Sequence, residues 1–193
     1  MRSVVALSCF FACILASSCK RTQEESRVSA PSQPEPAKVG TITPKEFNLV
    51  ATGNPYGLHL ADGVLDFCDS RGGRELNLKT GQETNKDRSC ASKEEPNTAC
   101  SGVGTDVEVR APLSEPNDIV DVGGSSFPLN GRVHDCAGDA KFLAIVTTST
   151  TVVIDTAKSA ITQVSSQGGD RVAIGDGWVA WSAGSDLHAK PVK

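Results

Sequence analysis

Strict alternation of apolar and polar residues recurs along the chain after residue 57, and turn-forming residues separate the alternating segments. Side chains at a period of two share one face of a β-strand. The alternating pairs are Leu58 and Leu60, Leu76 and Leu78, Val107 and Val109, and Val172 and Ile174. The intervening turns are Asp62-Gly63, Gly72-Gly73, Thr80-Gly81, Gly123-Gly124, Gly168-Gly169 and Asp176-Gly177. No window there sustains a helical stripe with a cap and a stop, so the sequence predicts an all-β domain over residues 44–193.

Two shorter segments, 142–146 and 152–154, are continuously apolar and rich in β-branched residues. Runs of this composition suit buried strands. We therefore expect them to lie in the interior of the domain.

A weak internal repeat organises these strands. Residues 62–67 (Asp-Gly-Val-Leu-Asp-Phe) are similar to residues 176–181 (Asp-Gly-Trp-Val-Ala-Trp), and a looser copy begins at Asp139. The spacing predicts a further, degenerate copy near Cys100, where the chain offers only residues 105–109. Hairpins of this form resemble the blades of β-propellers, which implies a small or partial propeller-like domain of about four hairpin repeats. A β-sandwich is the alternative, since evenly spaced short strands fit both architectures.

The N-terminus has the layout of a secretory signal, with Arg2 followed by an apolar run from Val4 to Ala16. The sequence Leu-Ala-Ser-Ser-Cys at 15–19 resembles the bacterial lipobox, although the leucine lies one place further from the cysteine than is usual. The resemblance implies a signal peptide over 1–18 and a lipid on Cys19. Residues 19–43 are rich in Pro, Ser and Glu and predict a flexible tether.

Seven cysteines are present, and Cys9 and Cys13 lie within the signal segment. With Cys19 consumed by acylation, the even set Cys68, Cys90, Cys100 and Cys136 predicts two disulfides. Three pairings are open from sequence alone. We favour Cys90 with Cys100, because they bracket a polar stretch with no core of its own, which leaves Cys68 with Cys136.

Charge and motifs exclude several functions. Lys and Arg number 19 against 23 Asp and Glu, for a net charge of -4, and the basic residues are scattered, so we expect no nucleic-acid partner. The serine-hydrolase elbow and the dinucleotide fingerprint are incomplete in this sequence. The sequence therefore predicts no cofactor, and an enzyme is the less favoured interpretation.

Few side chains are candidates for a site. Trp178 and Trp181 are a weak candidate platform for a sugar or peptide, although one of them is expected in the core. Asp62, Asp66 and Asp69 are a weak candidate for calcium. His134-Asp135 has the composition of a general-base pair, but nothing in the sequence supplies its nucleophile.

These observations predict a membrane-anchored envelope lipoprotein whose domain is a non-enzymatic binding or scaffolding module with a protein or glycan partner. The alternatives are an enzyme or enzyme subunit with a site assembled from distant residues, or a sugar-binding periplasmic protein. Predicted disulfides imply an oxidising compartment. Lipoproteins resembling this one, with Lys20 after the cysteine, usually reach the outer membrane; a secreted soluble protein is the alternative location.

Overall fold

The computed structural model describes residues 46–50, 53–86, 90, 95–103 and 106–193. All of them belong to one compact unit, Gly40–Lys193. The predicted signal peptide, Cys19 and tether lie outside the described residues. The described residues form fifteen strands and no helix, which confirms the all-β prediction. The strands are β1 (Phe47–Val50), β2 (Tyr56–Ala61), β3 (Val64–Asp69), β4 (Gly72–Asn77), β5 (Glu83–Lys86), β6 (Val107–Arg110), β7 (Ile119–Val122), β8 (Ser125–Pro128), β9 (Val133–Gly138), β10 (Phe142–Thr147), β11 (Thr151–Asp155), β12 (Ala160–Ser165), β13 (Arg171–Gly175), β14 (Trp178–Ala183) and β15 (Asp186–Pro191).

The strands form four antiparallel sheets, each built from strands that follow one another along the chain. The first sheet contains β2 to β5, the second β6 to β8, and the third β9 to β12. The fourth contains β13 to β15 and takes β1 as its outer strand, so Phe47 lies opposite Ala189 in the register. This arrangement confirms about four hairpin repeats and joins the two ends of the domain in one sheet.

Three apolar clusters hold the sheets together in series. One packs the first sheet on the fourth and contains Phe67 and Trp178. Another packs the fourth sheet on the third and contains Trp181. The last packs the third sheet on the second and contains Phe127 and Ile145. The third and fourth sheets therefore bury both faces, whereas the first and second bury one.

Burial on two faces explains the sequence patterns. The β10 residues from Leu143 to Thr147 and the β14 residues from Trp178 to Ser182 are buried without interruption. In β3, by contrast, Leu65 and Phe67 are buried and Asp66 between them is half-buried. The continuous apolar runs of β10 and β14 thus lie in the middle sheets, and the alternating run of β3 lies in a sheet at the end of the series, as expected for strands buried on two faces and on one.

The remaining faces of the first and second sheets carry ion pairs. On the first sheet, Lys86 bridges Asp66, at 2.9 Å, and Glu75. On the second, Arg110 binds Asp121. No apolar cluster of the described residues joins these two sheets. The described strands therefore close into neither a barrel nor a complete propeller, and the likeness is to a partial propeller-like or sandwich-like set of sheets.

Positive φ angles mark the repeat. Asp62, Asp106 and Asp176, with φ of 55°, 58° and 50°, precede β3, β6 and β14. Aspartate tolerates this left-handed conformation better than most residues, which suits it to tight turns. Asp62 and Asp176 connect the paired strands β2 with β3 and β13 with β14, whereas Asp106 precedes β6, the first strand of a sheet with only three described strands, so the degenerate copy expected near Cys100 stays a prediction.

All four predicted cysteines form disulfides, but the pairing favoured from sequence is wrong. Cys68 pairs with Cys90, with Cα atoms 6.0 Å apart, and Cys100 pairs with Cys136, with Cα atoms 5.1 Å apart. The first bridge fixes the chain after β5 to β3 of the same sheet, and the second fixes the segment 95–103 to β9. Tertiary packing therefore separates Cys90 from Cys100, and the polar stretch between them connects two bridges.

Candidate functional site

A cavity of 320 Å³, here called the inner pocket, lies where four parts of the chain meet. It is lined by Leu58 of β2, Glu95 and Asn97 of the segment 95–103, Asp135 of β9 and Arg171 of β13, together with neighbouring residues. The walls therefore combine apolar surface with charges of both signs. Such a mixture is typical of small-molecule sites, where a few placed polar groups set the orientation of a ligand.

The segment 95–103 forms one wall and is tied down although it is not a strand. The amide of Ser101 donates to Oδ1 of Asn97 at 2.8 Å, and Nδ2 of Asn97 donates to the Ser101 carbonyl at 3.0 Å. Cys100 anchors the segment to Cys136. A Cβ at Gly138 would lie 2.0 Å from the carbonyl oxygen of Val103, so only glycine permits this close approach to β9.

A β-bulge in β9 places the side chain of Asp135 at the inner pocket rather than in the apolar core. Val146 pairs with Asp135 and Thr147 pairs with Val133, so His134 is the extra residue. Bulges of this kind reorient side chains near functional sites. The shift lets Val133 and Cys136 pack into the same apolar cluster while Asp135 between them lines the pocket.

Asp135 is only 7% exposed, and its carboxylate is held by the backbone. The amide of Asn97 donates to Oδ1 at 2.8 Å, and the amide of Val172 donates to Oδ2 at 2.9 Å. Burial raises the pKa of Asp135 above its ordinary value, and it outweighs the opposing effects of hydrogen bonds from these two amides and the amide of Cys136 and of the positive charge of Arg171. Asp135 therefore presents a rigid, poorly solvated acid to the pocket.

Arg171 connects the inner pocket to a smaller one. The second cavity, of 190 Å³, is lined by Asn54, Pro55, Tyr56, Asp170 and Arg171. Nη1 of Arg171 donates to the carbonyl of Asp170 at 2.8 Å. Arg171, at the start of β13, thus lines both cavities.

The two tryptophans considered from sequence do not form a platform. Trp178 is 7% exposed and Trp181 is 1% exposed, and both belong to apolar clusters. The ring of Trp181 stacks on His188 with centroids 5.0 Å apart. They occupy opposite faces of β14, as expected, but both faces of the fourth sheet are buried, so the candidate ligand platform is wrong.

The three aspartates considered for calcium have other contacts. Asp62 lies in an exposed turn, Asp66 binds Lys86, and Asp69 binds Arg71 and lies 3.8 Å from Arg74. Cations of the protein therefore neutralise Asp66 and Asp69. The described part of the chain contains no group of three His, Cys, Asp or Glu side chains arranged to hold a metal ion.

His134 and Asp135 do not act as a pair. Nδ1 of His134 lies 2.9 Å from the carbonyl oxygen of Gly169, whereas Asp135 accepts from backbone amides. Each of the two side chains therefore has its own backbone partners. Arg171 and Glu95, which sequence reasoning missed, contribute to the pocket instead, and no local motif marks either of them.

A larger cavity of 510 Å³ lies beside β12 and β15, with Phe142, Val153, Val164, Lys190 and Val192 among its lining residues. Lys190 donates to the Val164 carbonyl at 3.2 Å and lies 3.2 Å from Glu46. Lys190 and Glu46 are thus engaged with the domain itself. Asp135, a charged side chain more than nine-tenths buried, makes the inner pocket the better-formed site.

Comparison with known proteins gives no family. No family model and no curated protein matches the chain. Among solved structures, the chain is similar to the computationally designed Ika8 protein, with 9% identity and a TM-score of 0.32 over 72% of this chain and 46% of that one. The chain thus spans about half of that protein's length. The part of the chain that the structure describes includes no helix long and apolar enough to cross a bilayer.

Proposed function

We propose that this chain is a lipid-anchored envelope protein whose β domain is a non-enzymatic binding module, and that the inner pocket is its binding site. The observation that carries the binding role is the composition of that pocket. Its described lining residues combine apolar surface with the charged side chains of Glu95, Asp135 and Arg171, and Cys136 is held in a disulfide. Such a lining supplies a few placed polar groups that can orient a small ligand.

The N-terminal sequence supports the proposed lipid anchor. An apolar run after Arg2 ends in Ala-Ser-Ser-Cys, and the lipobox-like cysteine is followed by Lys20 and the Pro-rich tether. Two disulfides that connect distant parts of the chain suit an oxidising compartment such as the periplasm. These features support an outer-membrane lipoprotein with its domain carried on a flexible stretch.

Fractionation of cells expressing Cys19→Ala tests the anchor. We expect the wild-type protein in the membrane fraction and Cys19→Ala in the soluble fraction, while the control Ser18→Ala stays with the membrane because it keeps the thiol. Intact mass of the wild-type protein should correspond to a chain that begins at Cys19 and carries acyl groups. An unmodified mature chain, or membrane retention of Cys19→Ala, would contradict the proposal and favour a secreted soluble protein.

A further inference from the structure

Strand β12 ends the third sheet, and its free edge is longer than the other outer edges of the domain. It has six residues, Ala160–Ser165, whereas β1, β5, β6 and β8, which also end their sheets, have four each. The remaining end strands are not free in this way, because β13 contacts both β2 and β9. Among the strands that the structure describes, β12 therefore offers the longest open edge to another chain.

The edge of β12 lacks the features that usually protect an exposed strand. Sheets protect their edges with charges, prolines or short strands, which hinder pairing with another chain. Lys86 of β5 and Arg110 of β6 are charged, and β8 ends at Pro128. The chain from residue 159 to residue 169 contains neither a charge nor a proline, and Ile161 in β12 is 42% exposed. A strand of this composition pairs readily with another strand.

The 510 Å³ cavity beside β12 adds a packing surface to the same edge. Thr162 and Val164 of β12 line it, and Phe142 and Val192 contribute apolar surface. Val164, Phe142 and Val192 pack against the apolar cluster that joins the third and fourth sheets. Because side chains at a period of two share one face, a strand added to β12 places every second side chain over this surface. Backbone pairing and side-chain packing are thus available together, as in other cases of strand addition to a sheet edge.

We propose that β12 is an association edge and that its partner is a second copy of this chain. The β12 strands of two copies pair antiparallel about a two-fold axis and join their third sheets into one sheet. Such an interface is self-complementary, because both copies use the same surface. β12 itself is uncharged, so its two copies meet without like-charge repulsion. Two ion pairs beside it, Lys190 with Glu46 and Lys158 with Asp155, balance their own charges.

Sedimentation equilibrium of the full mature chain carrying Cys19→Ala tests the proposal, because this variant lacks the proposed lipid and reports association of the domain alone. An interface built on two six-residue strands is small, so we expect a weak dimer. The average mass should rise from one chain toward two as the protein concentration is raised from about 1 to about 300 μM. Amide hydrogen exchange in β12 should slow over the same range, whereas exchange in β5, the outer strand of the first sheet, should not change.

A charge on β12 should separate the two copies. Ile161→Lys brings like charges to the paired edge, and we expect the dissociation constant of the dimer to rise at least about tenfold. Leu113→Lys is the matched control, because Leu113 is the other exposed large apolar residue of the described chain and lies in the loop between β6 and β7; it should leave the dimer unchanged.

Three results would overturn the proposal. The chain could stay monomeric at all concentrations, the two lysine variants could weaken association equally, or the mass could continue to rise past two copies. Slow exchange of the β12 amides in a monomer at every concentration would also overturn it and would indicate that another part of the same chain covers the edge.

Discussion

Nδ1 of His188 lies 2.6 Å from Oδ1 of Asn48, so a side-chain hydrogen bond connects β15, the last strand of the domain, to β1, the first. Phe47 reinforces this connection, because its ring packs on that of Trp178 with centroids 6.0 Å apart. β1 is therefore an integral strand of the fourth sheet, although it comes directly after the predicted tether.

Phe47→Ala should destabilise the domain by about 2 kcal/mol, less than the 3 to 5 kcal/mol typical of a fully buried aromatic, because Phe47 is only partly buried. Denaturant unfolding of the variant measures the change. Glu46→Ala is the matched control, since Glu46 is exposed and makes one surface ion pair with Lys190. Equal stability of the two variants would show that β1 does not contribute to the core.

The disulfides should stabilise the domain substantially. Their sequence separations of 22 and 36 residues correspond to about 3 to 4 kcal/mol each in the loop-entropy account. We expect the double variant Cys100→Ser with Cys136→Ser to lose about this much in denaturant unfolding. A non-reduced digest should yield peptides joined through Cys68 and Cys90, and recovery of a peptide joining Cys90 to Cys100 would contradict the pairing.

Asp118 should be important for the connection between β8 and β9. It is 4% exposed, accepts from the buried amide of Val133 at 2.8 Å, and binds Arg132. Asp118→Ala leaves that amide without a partner, so we expect a loss of about 2 to 3 kcal/mol. Asp121→Ala, which removes an exposed ion pair, is the control and should be destabilised much less than Asp118→Ala.

Lowering the pH should change the contributions of Asp121 and Asp135 to the stability of the domain in opposite directions. The hydrogen bond from Arg110, assisted by Ser126, lowers the pKa of Asp121 from 3.8 to about 2. Its stabilising contribution is therefore present above about pH 4 and is lost as the pH falls from 4 to 2. Because burial raises the pKa of Asp135, the ionised form of that group disfavours folding, and stability falls as the pH rises through its folded pKa.

Carbon-detected NMR titration of the carboxyl groups measures both effects. We expect the Asp121 midpoint to lie near 2 and the Asp135 midpoint to lie above the ordinary value of 3.8. In Asp121→Asn, stability should decline less steeply between pH 4 and 2 than in the wild type. A midpoint of Asp121 near 3.8 would contradict the strong contact with Arg110.

Local patterns predicted the strands well because strand periodicity and turn chemistry depend on neighbouring residues. These local patterns predicted the alternation in β2 and β4, the continuous apolar run in β10 and the turn at Asp62. The disulfide pairing depends on which distant strands meet, and no local pattern contains that information. The inner pocket was missed for the same reason, since Asp135 reaches it only through a bulge and Arg171 comes from another sheet.

Pairing of β1 with β15 has a consequence for how the chain acquires its structure. Phe47 pairs with Ala189, so the fourth sheet cannot be completed until β15 has been synthesised. Contacts of such long sequence separation slow folding, because the entropy of loop closure is lost before the contacts form. Partial chains would expose the apolar face of the first sheet, which contains Leu65 and Phe67, until the fourth sheet covers it. The domain therefore matures after synthesis, in milliseconds to seconds if it behaves like other all-β domains.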